Sequence, residues 1–105
     1  MAAQEPEGTV EFGYLEGFAA GDATVVREVL MLFGQQAALW AGSLDAADAG
    51  WRDVVHTIKG AARGVGANGL GDICARAEAD GPDGLPAGRA ALEAAVADIQ
   101  GYLAR

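Results

Sequence analysis

Cysteine, histidine, lysine and serine each occur once in this chain, as Cys74, His56, Lys59 and Ser43. A single cysteine excludes an internal disulfide and points to a reducing compartment. A single histidine, with no second histidine or cysteine at ligand spacing, argues against a zinc site. Ser43 falls in an expected loop with nothing to activate it, so a hydrolase triad has no support. Cations are scarce too: seven Lys and Arg stand against 15 Asp and Glu, a formal net charge of −8. That balance excludes a general nucleic-acid binder, which needs clustered cations to neutralise phosphates, and it disfavours an anionic membrane surface. No apolar run nears the ~18 residues of a bilayer span, and the opening MAAQEPEG has neither the basic nor the apolar region of a signal peptide. A soluble cytoplasmic protein is the expectation.

What remains is rich in small apolar residues. Hydrophobic side chains make up 51% of the 105 residues but aromatics only 7%. Such a core packs closely and suits helices better than a β-sandwich. Residues 1–8 read as a disordered lead-in, and residues 9–105 as one domain. Val10, Tyr14, Leu15 and Phe18 recur at helical spacing and predict a short helix closed by Gly21. Asp22 is the expected N-cap of a longer helix, whose stripe of Val26, Val29, Leu30, Phe33, Ala37 and Trp40 runs to Leu44. Val25, Leu32 and Leu39 widen that stripe and predict packing on more than one side.

A third helix is expected from Ala47 to Val65, with Trp51, Val54, Val55, Ile58, Ala61, Ala62 and Val65 as its apolar set. The next starts after Asn68, a cap candidate, and turns Leu70, Ile73, Cys74 and Ala77 inward. Gly81-Pro82-Asp83-Gly84 is a turn by composition. Pro86 suits the first turn of a last helix, with Leu92, Val96, Ile99 and Leu103 on its apolar face. No segment alternates with period two. The expected fold is all-α: an antiparallel four-helix bundle with a short additional N-terminal helix.

One stretch, HTIKGAARGVGANG at residues 56–69, offers two chemistries. Gly64 to Gly69 spell G-x-G-x-x-G, the pattern that cradles a dinucleotide phosphate when it follows a strand and opens a helix. Here it follows a helical stripe and no strand precedes it. The glycines read instead as the end of one helix and the turn into the next.

The other end of the stretch holds the single histidine and the single lysine. At about 100° per residue, His56 lies about 160° from both Val54 and Ile58, so it faces outward. Lys59 falls about 60° from it, and Gly60, Arg52 and Arg63 within about 40°. Three of the seven cations of an acidic chain therefore surround one exposed imidazole. Gly60, the residue one turn on, has no side chain. An exposed helical glycine costs about 1 kcal/mol relative to alanine, and close approach of another molecule is a physical reason for it. Read from spacing alone, the same face also fits plain solvated helix surface. A Cys–His pair is excluded as the better reading, because Leu70 and Ala77 place Cys74 inward as a small buried hydrophobe.

His56-Thr57-Ile58-Lys59-Gly60-Ala61-Ala62, then Gly66-Ala67, Leu70, Cys74 and Glu78, resembles the signature of histidine-containing phosphotransfer (HPt) domains. The resemblance implies that His56 is the phosphoacceptor of a multistep phosphorelay. It takes a phosphoryl group from the aspartyl phosphate of one response-regulator receiver domain, or of a hybrid histidine kinase, and passes it to another receiver. An imidazole is available as a neutral nucleophile near neutral pH. Phosphoryl transfer asks mainly for positioning and charge stabilisation. On that reading Lys59 and Arg63 hold the phosphoryl oxygens, Gly60 gives the receiver's loops access, and Arg52 with Arg63 faces the partner. The resemblance also implies no cofactor in this chain, Mg²⁺ on the partner receiver, and transfer at Nε2. A monomer is expected, and its basic patch steers His56 toward an acidic receiver pocket. Phe12 and Phe18 of the first helix are expected in the core, with docking beside His56 as their alternative. The rival to the relay is a non-phosphorylated helical adaptor that binds a receiver or kinase and regulates it.

Overall fold

The computed structural model describes residues 10–105, so the lead-in expected over residues 1–8 lies outside the described residues. Those residues form five α-helices: α1 (Phe12–Phe18), α2 (Ala23–Ser43), α3 (Trp51–Val65), α4 (Asn68–Asp80) and α5 (Leu85–Leu103). A 3₁₀ turn, Pro82–Gly84, joins α4 to α5, and no strand occurs among the described residues.

The start of α2 is fixed by Asp22, whose carboxylate accepts the backbone N–H groups of Thr24 and Val25 at 3.1 and 3.2 Å. Two donors that the first helical turn would leave unpaired are thereby satisfied. Val26, Leu30, Phe33 and Ala37 are its buried stripe, and Trp40 meets Phe33 edge-on at 5.7 Å. Val25, Leu32 and Leu39 do not pack as expected. They are 42%, 56% and 70% exposed, because they lie on the flank of α2 turned away from the buried stripe.

The third helix begins four residues later than its apolar pattern suggested. Asp45 accepts the N–H of Ala47 at 2.9 Å and Asp48 that of Gly50 at 2.8 Å. These side-chain turns offer the backbone an alternative to helix and hold the connection open until Trp51. At its other end α3 stops on Gly66, in the left-handed region at φ 89°. The Gly66 N–H donates to the Arg63 carbonyl at 3.4 Å and the Ala67 N–H to the Ala62 carbonyl at 2.8 Å. That pair of bonds satisfies carbonyls the helix end would leave open. A Cβ on Gly66 would lie 2.7 Å from the Glu11 carbonyl oxygen, and the Glu11 N–H donates to Gly66 O at 2.9 Å. The glycine fingerprint thus spans the end of α3 and the start of α4. Asn68 is the first residue of α4 rather than its cap. The cap position falls to Ala67, whose methyl group offers no hydrogen-bond acceptor.

Inward from these ends, Val55, Ile58, Ala62 and Val65 of α3 meet Leu70, Ile73, Cys74 and Ala77 of α4. Leu92, Ala95 and Ile99 of α5 complete the core. Burying each Leu, Ile or Val contributes roughly 1.5–3 kcal/mol. α2 contacts α3 and α5, α3 contacts α4, and α4 contacts α5. α1 lies on α2 and α3 through buried Leu15, while Phe12 stacks on Tyr102 of α5 at 4.3 Å. Tyr14 and Phe18, expected inward, are 54% and 82% exposed, since seven residues of helix present only one narrow face to the bundle.

Candidate functional site

His56 sits in the middle of α3 with its side chain 65% exposed, outward as the helical wheel required. Its ring is not free. Nδ1 lies 2.7 Å from Oε2 of Glu78 on α4. The other oxygen of the same carboxylate, Oε1, accepts a hydrogen bond from Lys59 Nζ at 2.6 Å. Arg52, one turn before His56, donates to the main-chain carbonyl of Glu78 and lies over the Trp51 ring at 4.7 Å. Three residues of α3 therefore converge on one residue of α4.

Arg63 is placed elsewhere. Its guanidinium is 3.6 Å from the carboxylate of Asp72, and its stem crosses α4 over Gly71, where a Cβ would come within 3.0 Å of Arg63 Cγ. The missing side chain of Gly71 is what lets that stem lie flat. So the basic cluster read from the sequence divides. Arg52 and Lys59 are engaged at Glu78, and Arg63 pairs with Asp72 further along the helix. Gly60 is exposed, and an added Cβ there would meet no atom within 4 Å. Gly64, one turn on, is equally open. Beyond it an apolar groove between α2 and α3 is lined by Val29, Leu32, Trp40, Ala61 and Gly64.

The hydrogen-bond pattern assigns the tautomer. An ionised carboxylate only accepts, so in the neutral ring Nδ1 carries the proton and Nε2 keeps its lone pair. The hydrogen bond from Lys59 holds the Glu78 carboxyl below the usual value of 4.5; partial burial opposes this and the bond to His56 adds to it. Glu78 is therefore an anion at neutral pH. Cys74, one turn before it, is buried, and burial with the nearby Glu78 pushes its thiol up to about 11 against the pull of Lys59 and Arg63. It is a packing residue beneath the site. Among the described residues no three His, Cys, Asp or Glu side chains converge as a metal site requires, and no helix is long and apolar enough to cross a membrane.

Glu78 is the site residue whose part sequence reasoning missed. It entered only as the last letter of a motif, because its partners lie 19 and 22 residues away across a helix pair. The available signal was its place one turn after Cys74, on the rim of the buried stripe of α4.

An exposed imidazole, a lysine one turn away and an open glycine beside it make a surface cluster on an all-helical fold rather than a pocket for a small molecule. The Hpt domain family model matches residues 25–102. The structure is similar to the crystal structure of the histidine phosphotransferase ShpA from Caulobacter crescentus. The TM-score is 0.80 and the identity 59%, over 89% of this chain and 88% of that one. No curated protein sequence matches. The chain belongs to the Hpt domain family, whose members are phosphorelay phosphocarriers.

Proposed function

We propose that this protein carries a phosphoryl group between two receiver domains, with His56 Nε2 as the acceptor atom. The observation that supports it most is the engaged Nδ1 at 2.7 Å from Glu78, which leaves Nε2 as the exposed nucleophile. In the accepting step the Nε2 lone pair attacks the phosphorus of a receiver's aspartyl phosphate. The N–P bond forms, the P–O bond to the aspartyl carboxyl breaks, and its electron pair leaves with the carboxylate. The ring keeps its Nδ1 proton and becomes cationic beside Glu78. No proton has to move.

Lys59 is within one helical turn of the transferred group and can turn its ammonium from Glu78 to the phosphoryl oxygens, where charge builds in transfer. Gly60 leaves the space into which the receiver's active-site loops close. Arg52 and Arg63 flank that approach at either end, and the exposed apolar flank of α2 extends it. The receiver supplies Mg²⁺ and the aspartate, so the catalytic apparatus lies on the partner and this chain has no cofactor of its own. The ring of α2 to α5 is read as an antiparallel four-helix bundle acting as a monomer in the cytoplasm.

The test is incubation with a ³²P-labelled phospho-receiver. Label that moves to this chain as acid-labile, base-stable phosphate is the expected result. Binding of the receiver without label transfer would favour the adaptor instead.

A further inference from the structure

We infer that Asp72 competes with the docking receiver for Arg63. The guanidinium rests on Asp72 in the free protein and passes to a carboxylate on the receiver's surface when the two bind. Arg63 is then a specificity-determining residue, and Asp72 is a positioning residue that sets what a receiver must offer to draw it away. The inference rests on the reading of this face as the receiver's docking surface.

The three cations that the wheel places around His56 are held in different ways. Lys59 donates to the Glu78 carboxylate at 2.6 Å, and Arg52 donates to the Glu78 main-chain carbonyl. Both are tied to one residue of α4 by hydrogen bonds. Arg63 meets Asp72 at 3.6 Å, outside hydrogen-bond distance, with its side chain 50% exposed and that of Asp72 65% exposed. An ion pair so open to water is weak and exchanges readily, because solvent and salt screen it. Of the three, Arg63 is the cation that an incoming anion can take without disturbing the contacts at His56.

Its position lets it turn. Arg63 lies within about 20° of His56 on the wheel and about 10 Å further along α3. Its neighbours on that outer face are Gly60 and Gly64, where a Cβ would meet no atom within 4 Å, so no side chain blocks a swing from α4 back to α3. On the α4 side Gly71 seats the stem: a Cβ there would come within 3.0 Å of Arg63 Cγ and 3.2 Å of Nε. The fold thus offers one guanidinium two seats, with Asp72 as counter-ion in the first and the partner as its source in the second. A receiver with a carboxylate about 10 Å from its phosphorylated aspartate gains Arg63. One with a neutral or cationic residue there leaves the pair with Asp72 intact and gains nothing. Discrimination comes from the difference between two ion pairs.

The experiment screens a panel of purified phospho-receiver domains for transfer to the wild type and takes the most efficient donor as the probe. KM for that receiver and kcat are then measured for the wild type, Asp72→Asn, Arg63→Ala and the double variant. Asp72→Asn should lower KM by about threefold with kcat unchanged, since the receiver no longer has to displace Asp72. Arg63→Ala should raise KM, and adding Asp72→Asn to it should change nothing more. Gly71→Ala, which lifts the stem from α4 without altering charge, should lower KM as Asp72→Asn does. A KM unmoved or raised by Asp72→Asn would overturn the inference, and so would one unmoved by Gly71→Ala. A fall of the same size in the Arg63→Ala background would also overturn it, by assigning the effect to the loss of a negative charge in general. Label reaching the wild type from none of the receivers is a different failure, of the relay reading itself, and takes this inference with it.

Discussion

Nδ1 of His56 and Oε2 of Glu78 lie 2.7 Å apart, joining the middle of α3 to the last turns of α4. A solvent-facing imidazole on a helix ordinarily turns freely and exchanges tautomers. Here one nitrogen is occupied and the other is left to react. Lys59 and Arg52 bind the same glutamate, so the ring's orientation is set by a helix–helix contact rather than by a local turn.

Gly60 is open on every side, so the fold gives no reason for it. Gly60→Ala should stabilise the protein by about 0.5–1 kcal/mol in urea denaturation, since alanine restricts the unfolded chain and favours helix. The same variant should slow transfer from a receiver, and Gly60→Glu should slow it further by bulk and charge. A transfer rate untouched by Gly60→Glu would remove the docking role.

Gly66 gives the opposite sign for the same substitution. Its φ of 89° and the 2.7 Å approach of a Cβ to the Glu11 carbonyl make Gly66→Ala destabilising by about 1–3 kcal/mol. Urea denaturation of the two alanine variants side by side checks both.

Lys59→Ala removes the ammonium one helical turn from His56. Transfer from a phospho-receiver should slow, on the order of a hundredfold, or the phosphohistidine should decay faster. Equal rates and an equal lifetime would leave Lys59 as no more than a partner of Glu78.

Glu78 makes the stability pH-dependent. Its carboxyl is held below the ordinary 4.5 in the folded state, so the contribution is complete above that value and is lost as pH falls through the lower, folded-state one. The stability difference between wild type and Glu78→Gln should therefore shrink as pH falls below 4.5. A difference that held steady into strong acid would contradict the ion pairing.

Cys74 should resist alkylation by iodoacetamide at pH 8 while the protein is folded and react at the ordinary thiol rate in urea. Its 1% exposure and a thiol pushed up to about 11 both withhold the thiolate.

Much of this was legible in the residues. Asp22 announced the start of α2, and the spacing of Val54 and Ile58 placed His56 on the far face. Gly66 stood at the end of α3 because the pattern stopped there. What the chain's periodicity could not carry was anything decided between helices. Val25, Leu32 and Leu39 have helical spacing whether or not a neighbour covers them, and none does. Asp45 and Asp48 compete with the helix through their own side chains, so α3 opens at Trp51 although the composition before it is helical. Arg63 points within 20° of His56 on a wheel, yet Asp72 and the gap at Gly71 draw it across to α4. The Glu78 contact belongs to the same class, a pairing written in the packing and not in the spacing.

The most direct measurement of the central claim is phosphoryl transfer from one ³²P-labelled receiver to the wild type and to His56→Gln, with helical CD recorded on both. The expected result is label on the wild type and none on the variant, with matching spectra. Undiminished labelling of folded His56→Gln would contradict the account.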